Sequence, residues 1–282
     1  MGNSKPVIHR YEATVSDFFV NAFLVETQNG VVAIDATLAI SSSRALRSMI
    51  DDKIKKPLLA VLMTHGHPDH FTGLVELTKG LDVPILATQG VIDFAMAEDK
   101  EKEPIAIQIF GDEFPRKRMF PNKVVKGGET HTFDGASFLL TDYGPGESDD
   151  DTAWSLEIDG IKHVFLGDMI HNHMHCFFRD GHALEWLKNL DRLLEEYDHN
   201  AALYTSHGNP GGIEIVYWHR AYIQAFIGIL KSMLKGKESL NEDEKNALVG
   251  KMQSFLPNDK TLFLLTYEMD KTIALLRKNG VV

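Results

Sequence analysis

The sequence has little cysteine and no long apolar run. Its single cysteine, Cys176, excludes an internal disulfide and leaves the redox compartment open. No stretch approaches the roughly 18 apolar residues of a membrane-spanning helix. The N-terminus lacks a basic region followed by an apolar core, which is the pattern of a signal peptide. We therefore expect no membrane partner and a cytoplasmic location.

The chain is also short of basic residues. Asp and Glu total 40 against 29 Lys and Arg, which gives a net charge of −11. Contacts with a nucleic-acid backbone need clustered lysines and arginines, so we expect no nucleic-acid partner. The 282 residues can form a large core in one or two domains, and an apolar content of 44% is ordinary for a globular protein.

Three histidines and one aspartate fall within the six positions from His65 to His70. The apolar run 58–63 before them predicts a buried strand. His65 and His67 are two positions apart, so in an extended chain their side chains project to the same side. The next residue is a proline that can open a helix, which turns Asp69 and His70 toward a second position. Imidazole nitrogen and carboxylate oxygen are zinc ligands, so the segment predicts half of two adjacent metal sites.

This segment resembles the His-x-His-x-Asp-His signature of the metallo-β-lactamase superfamily. Three further residues match that family's pattern in order, each at the end of an apolar run: Asp35, Asp168 and His207. The resemblance implies that Asp35 braces the metal loop without binding metal. It also implies that Asp168 bridges two metals and that His207 is the last metal histidine.

Glu147 stands where the family usually carries a histidine, directly after Gly-Pro-Gly. A carboxylate oxygen can take the place of an imidazole nitrogen on zinc at a similar distance. The change adds a negative charge and favours harder ions such as manganese or iron. Two alternatives stay open: one of Asp149, Asp150 and Asp151 binds instead, or the first metal is weak or absent.

The resemblance implies a dinuclear metal-dependent hydrolase that acts on a small-molecule ester, thioester, lactone or related substrate. A metal-bridging hydroxide would be its nucleophile. Zinc is the expected ion, with manganese or iron as alternatives. The implied ligands are His65, His67 and Glu147 for the first ion, Asp69, His70 and His207 for the second, and Asp168 for both. Asp69 is also the candidate catalytic residue, because it could hold or shuttle the proton of the attacking water.

Two rival functions remain at this stage. The first is an iron-dependent oxidoreductase of the same fold, which a carboxylate-rich ligand set would suit. The second is a metal-poor, non-catalytic binding protein that has lost a metal through Glu147. A further open question concerns His171, His173 and His175, which would share one face of an extended chain. They could line the pocket mouth, bind an adventitious ion or lie on the surface.

The resemblance implies an α+β fold, a four-layer αββα sandwich of two mixed β-sheets. We expect residues 1–212 to form the metallo-β-lactamase-like domain and residues 213–282 a C-terminal helical extension packed on it. Strands are predicted at residues 18–27, 31–36, 58–63, 85–87, 136–143, 152–158 and 161–166. Helices are predicted at residues 41–53, 69–79, 91–103 and 182–197.

The C-terminal extension is predicted to contain three helices, at residues 213–234, 241–255 and 261–278. Asn241 and Glu244 match a capping box at the start of the second. The first and third helices are too apolar to be solvated on all sides, so they must bury a face. They could pack on the sandwich, or form a lid or a homodimer surface beside the metals. Appended C-terminal helices often shape the substrate pocket in the resembled family.

Overall fold

The computed structural model describes residues 5–282 of the protein, and over these residues two β-sheets face each other. The first sheet has the order β1 (Val7–Glu12), β2 (Asn21–Glu26), β3 (Val31–Ile34), β4 (Leu58–Leu62), β5 (Ile85–Ala87) and β6 (Lys123–Val124). The second contains β7 (Thr130–Phe133), β8 (Ala136–Gly144), β9 (Asp151–Ile158), β10 (Ile161–Phe165) and β12 (Ala202–Tyr204). The short strand β11 (His171–Asn172) pairs in parallel with β13 (His207–Gly208).

Both sheets are mixed. In the first, β1, β2 and β3 pair antiparallel, and β3 to β6 pair in parallel. In the second, β7 to β10 are antiparallel, while β12 runs parallel to β10. Parallel neighbours need a crossover connection, which helices supply here.

The helices form the two outer layers. They are α1 (Ile40–Ser48), α2 (Pro68–Phe71), α3 (Leu74–Leu77), α4 (Gln89–Phe110), α5 (Ala183–Glu196), α6 (Glu214–Leu234), α7 (Glu242–Phe255) and α8 (Met269–Lys278). Helices α1 to α4 share a buried cluster with the outer face of the first sheet. Helices α5 to α8 share another with the outer face of the second. The predicted four-layer αββα sandwich is confirmed.

Strand β3 shows why the middle layers are buried on both sides. Val32 and Ile34 pack into the cluster between the two sheets, whereas Val31 and Ala33 pack under the outer helices. Because side chains alternate along a strand, one apolar run serves both faces. The sheets are also joined by a hydrogen bond, in which the indole nitrogen of Trp154 donates to the Met63 carbonyl at 2.9 Å.

Several element boundaries differ from the sequence-based predictions. The strand predicted at 18–27 begins only at Asn21, because Phe18 and Phe19 adopt left-handed φ angles of 57° and 59°. The helix predicted at 91–103 is longer and continues to Phe110. Strands β1, β6, β7, β11 and β13 were not predicted. The helix predicted at 41–53 is confirmed as α1, which continues as a π-helical turn at Met49–Ile54.

Two predicted helices are broken. The helix at 69–79 consists of α2 and α3, separated at Gly73, whose backbone N–H donates to the Thr37 carbonyl at 2.7 Å. A side chain at this glycine would collide with Thr37, so the chain passes close here instead of continuing the helix. The helix at 261–278 is a 3₁₀ turn (Leu262–Leu265) followed by α8, with Glu268 in the left-handed region at φ 49°.

The C-terminal helices pack onto the sandwich. Leu248 of α7 and Ile273 of α8 are fully buried in the same cluster as Val164 of β10. The predicted capping box at Asn241 is present, with hydrogen bonds in both directions between Asn241 and Glu244. The division at residue 212 stays a prediction. Within the described part of the chain, no helix combines the length and apolarity needed to cross a membrane.

Truncating a side chain in this cluster tests the packing of α6. Phe226 is fully buried and stacks on Phe178 with ring centroids 3.8 Å apart. Phe226→Ala should lower the free energy of unfolding by about 3–5 kcal/mol, measured by chemical denaturation. Tyr217 on the same helix is 60% exposed, so Tyr217→Ala should change it by less than about 0.5 kcal/mol. Equal losses in the two variants would contradict the packing described here.

Candidate metal centre

The residues with metal-binding side chains meet where strands of both sheets end. His65 and His67 follow β4, and Asp69 and His70 lie in α2. The other three lie in the second half of the chain: Glu147 between β8 and β9, Asp168 in the turn after β10, and His207 in β13. Loops held by rigid strands can fix side chains from distant parts of a sequence at one point.

The first group contains His65, His67, Glu147 and Asp168, all buried, with one ligand atom of each within 4.8 Å of the others. Oε2 of Glu147 lies 3.0 Å from Nδ1 of His67 and 3.7 Å from Nε2 of His65. Oδ2 of Asp168 lies 3.9 Å from Nε2 of His65. This group brings together the three residues predicted for the first ion and the predicted bridging carboxylate.

The second group contains Asp69, His70, Asp168 and His207, also buried and within the same mutual distance. Nε2 of His207 lies 3.2 Å from Oδ2 of Asp69 and 3.3 Å from Oδ2 of Asp168. Nε2 of His70 lies 3.3 Å from Oδ1 of Asp168. Asp168 is therefore common to both groups, and all seven predicted ligands converge.

Hydrogen bonds behind the cluster orient two of the histidines, His70 and His207. Asp35 accepts from the backbone N–H of Thr64 at 2.8 Å and pairs with Nδ1 of His70 at 3.0 Å, as the bracing role requires. Nδ1 of His207 donates to the Phe18 carbonyl at 3.0 Å. In both rings the other nitrogen, Nε2, is left facing the cluster. Such outer partners fix the tautomer and orientation of a metal-binding imidazole.

Asp180 performs the same task for His67 and was not identified from the sequence. Its carboxylate accepts from Nε2 of His67 at 2.9 Å, which leaves Nδ1 facing Glu147. Arg179 holds Asp180 at 3.1 Å and is itself buried. One feature of the sequence could have indicated this role. Arg179 and Asp180 directly follow two phenylalanines, and charged residues in an apolar stretch need partners when they are buried.

Glu147 is better placed as a ligand than the three aspartates that follow it. Asp151 accepts the backbone N–H of Glu147 at 2.6 Å and so holds the turn. Asp150 accepts from Thr88 at 2.6 Å, and Asp149 pairs with His182 at 2.7 Å. Within residues 5–282, both buried carboxylate oxygens of Glu147 lack a well-directed hydrogen bond.

The charge balance of the cluster fits divalent cations. Burial raises the pKa of Glu147 to about 8, against the opposing effect of His67. Burial lowers the pKa of His207, but Asp168 and Asp69 outweigh it and raise this pKa to about 10. A cation bound beside Glu147 would favour the ionised form of this carboxylate, against the effect of burial. Among the described residues, Nε2 of His70 and Oδ1 of Asp168 are also buried and form no well-directed hydrogen bond, even with each other at 3.3 Å. Buried polar atoms normally have a bonding partner.

The three alternating histidines do not share one face, because His173 has a left-handed φ of 56°. His173 is exposed and stacks on Trp218, and His175 is buried with its Nδ1 2.8 Å from the Tyr222 hydroxyl. Only His171 of the three borders the cluster, stacked on His207 with centroids 4.8 Å apart. Within the described chain neither of its ring nitrogens forms a hydrogen bond, and Nε2 lies 3.6 Å from Oδ2 of Asp168, so the ring can bond to a molecule bound beside the cluster.

Comparison with known proteins agrees with the fold described above. A family model described as the metallo-beta-lactamase superfamily matches residues 15–207. The solved structure of a β-lactamase domain protein from Burkholderia ambifaria is similar to this chain. The superposition includes 97% of this chain and 86% of the Burkholderia protein. The TM-score is 0.66 at 20% sequence identity, so this likeness concerns the fold.

Sequence relatives match over shorter segments. The uncharacterized protein YobT of Bacillus subtilis is 30% identical over 142 residues, which is 44% of this chain and 58% of YobT. An (R)-specific secondary-alkylsulfatase of a Pseudomonas species is 32% identical over 85 residues, 28% of this chain and 13% of the relative. A ribonuclease J of Sinorhizobium meliloti is 37% identical over 59 residues, which is 20% of this chain and 10% of the ribonuclease. The chain thus covers less than two thirds of each relative.

The role of Asp180 can be tested through metal affinity. Asp180→Asn keeps a hydrogen-bond acceptor for His67 but removes the charge that supports the ring. It should weaken Zn²⁺ binding by about 10- to 100-fold, measured by competition with a chromophoric chelator on metal-depleted protein. Asp149→Asn is the matched control, because this carboxylate also pairs with a histidine, His182, but stands outside both groups. Equal affinities in the two variants would exclude the supporting role.

Proposed function

The chain belongs to the metallo-beta-lactamase superfamily, and from this premise we propose that it is a dinuclear metal-dependent hydrolase of a small molecule. The observation that carries the proposal is the pair of buried ligand groups that share Asp168. Two divalent ions held there would lower the pKa of bound water toward neutrality and polarise the substrate's reacting oxygen. Zinc is the first candidate, and the three carboxylates make manganese and iron the alternatives.

Residues of the chain supply the remaining steps. Asp69 borders the cavity beside the ligand groups. Burial raises its pKa, but His70 and His207 outweigh this and hold the pKa below its usual value. The carboxylate is therefore ionised at neutral pH and can accept the proton of the attacking water. His171, which stacks on His207 and also borders the cavity, can donate or accept one hydrogen bond to the substrate.

The substrate classes we propose are esters, thioesters, lactones and related compounds. The names of two relatives, an alkylsulfatase and a ribonuclease, add sulfate esters and phosphodiesters to the compounds worth testing. A net charge of −11 opposes binding to a nucleic-acid backbone. A cytoplasmic location and a homodimer through the C-terminal helices remain predictions. The division into residues 1–212 and 213–282 is likewise a proposal, supported by the end of the family match at residue 207.

Metal analysis joined to a substrate panel tests the function. Protein purified without chelator should contain about two divalent ions per chain, as a two-metal mechanism requires. It should hydrolyse one class among chromogenic esters, thioesters, lactones, phosphodiesters and sulfates, lose this activity on chelation and regain it with zinc, manganese or iron. Less than one ion per chain would favour a binding protein, and iron with oxygen uptake would favour an oxidoreductase.

Substitution of Glu147 tests the unusual ligand. Glu147→Ala should lose the first ion and most activity, because two histidines and the shared Asp168 would be its remaining donors. Glu147→His should keep both ions and shift selectivity toward zinc, since nitrogen is the softer donor. Elemental analysis of each purified variant gives the readout. Asp149→Ala, in the same turn but exposed, should retain both ions. Unchanged metal content in Glu147→Ala would show that this carboxylate is not a ligand.

A further inference from the structure

A cavity of about 130 Å³ opens beside the two ligand groups. Its polar border is formed by members of those groups together with His171 and Lys102. Apart from Tyr267, the rest of its wall is apolar and includes Phe18, Ile105, Ile109, Phe110, Phe177 and Phe263. The cavity therefore has one polar side, at the candidate metal centre, and one apolar side.

Three separate segments build the apolar side. Phe18 precedes β2, Phe110 ends α4, and Phe263 lies in the 3₁₀ turn before α8. The ring of Phe18 contacts both others, with centroids 5.8 Å from Phe110 and 5.7 Å from Phe263. The carbonyl of Phe18 also accepts the hydrogen bond from Nδ1 of His207. A hydrogen bond thus connects the apolar wall to a candidate metal ligand.

The apolar side offers no free charge to a ligand. Lys102 is the basic residue at its border, and its ammonium group is paired with Glu98 and lies 4.9 Å from the centre of the Phe177 ring. At the mouth, Ile109 and Phe263 are 62% and 54% exposed. Large apolar side chains left exposed around a cavity mark a binding surface, and a charged group placed there would be desolvated without a partner.

We infer that the substrate carries an uncharged, apolar acyl or alkyl group that lies against α4, Phe18 and Phe263 while its scissile group faces the metal ligands. This inference rests on the proposed function and names its substrate class. An apolar cavity of about 150 Å³ accommodates benzene, so the enclosed part of the group has about six carbons. The end of a longer chain would extend out of the cavity and lie against Ile109 and Phe263.

A chain-length series tests the inference by turnover. Within the ester class that the enzyme hydrolyses, acyl groups from acetyl to dodecanoyl are compared by kcat/KM. We expect an increase of about fourfold per methylene up to about six carbons, followed by a plateau. A kcat/KM that does not change with chain length, or that is highest for acetyl, would overturn the inference. The proposed hydrolase function would be unaffected.

A binding series makes the test independent of turnover. Acetate, butanoate, hexanoate and octanoate are titrated into metal-loaded protein by calorimetry. Affinity that rises with chain length supports the apolar site, even if every hydrolysis assay fails and the proposed function is abandoned. Equal affinity of all four acids would overturn the inference.

Two exposed residues of α4 give a matched pair of variants. Ile109 borders the cavity, whereas Met96, which is 53% exposed, does not. Ile109→Glu should reduce the hexanoyl-to-acetyl preference by at least about tenfold, because the charge lies in the path of the chain. Met96→Glu adds the same charge to the same helix and should leave the preference unchanged. Phe263→Ser tests the opposite side of the mouth. An unaltered preference in Ile109→Glu and Phe263→Ser, with both variants folded by circular dichroism, would contradict the inference.

Discussion

Burial of several carboxylates at one edge of the sandwich is the constraint on which the rest of the structure depends. Asp69 and Glu147 each have a carboxylate oxygen within 4.8 Å of one from Asp168, and all three side chains are nearly inaccessible to solvent. Isolated buried charge of this kind is very unfavourable, so the edge must hold compensating positive charge. Buried histidines in segments that follow strands of both sheets provide nitrogen donors, which together with these carboxylates could bind cations.

The orientation of these histidines ties the centre to distant parts of the chain. His70 depends on Asp35 at the end of β3, and His207 depends on the backbone of Phe18. His67 depends on Asp180, which is held by Arg179. Arg179 in turn pairs with Glu268 at the start of α8, with Nε to Oε2 at 2.9 Å. The C-terminal helices are therefore connected to a candidate ligand through three side chains in sequence.

The C-terminal helices extend the hydrophobic core, and the turn before α8 forms part of the cavity wall. The buried faces of these helices extend the core of the second sheet, which accounts for the apolar character of α6. The turn before α8 places Phe263 beside Phe18 and α4, where it closes the apolar side of the cavity. Packing on the sandwich and shaping of the pocket, which the sequence presented as alternatives, are both properties of this extension.

The sequence alone determined those features that depend on neighbouring residues. Apolar runs predicted the buried strands β3 and β4, and the spacing of His65, His67, Asp69 and His70 predicted two ligand groups. The resemblance to the superfamily motif added Glu147, Asp168 and His207 as candidate ligands. The predicted strands form and the candidate ligands come together, because period and spacing are local properties and strand ends at one sheet edge lie close together.

Tertiary structure alone decided the features that depend on residues far apart. Asp180 meets His67 across 113 positions, a pairing that no local pattern encodes. The contact of Gly73 with Thr37 interrupts a helix that sequence would continue. Only His171 among three alternating histidines reaches the centre, because the backbone at His173 turns left-handed. The cavity wall joins three segments through Phe18. For Asp180, Gly73 and Phe18 the deciding force is a long-range contact, and such contacts override local propensity.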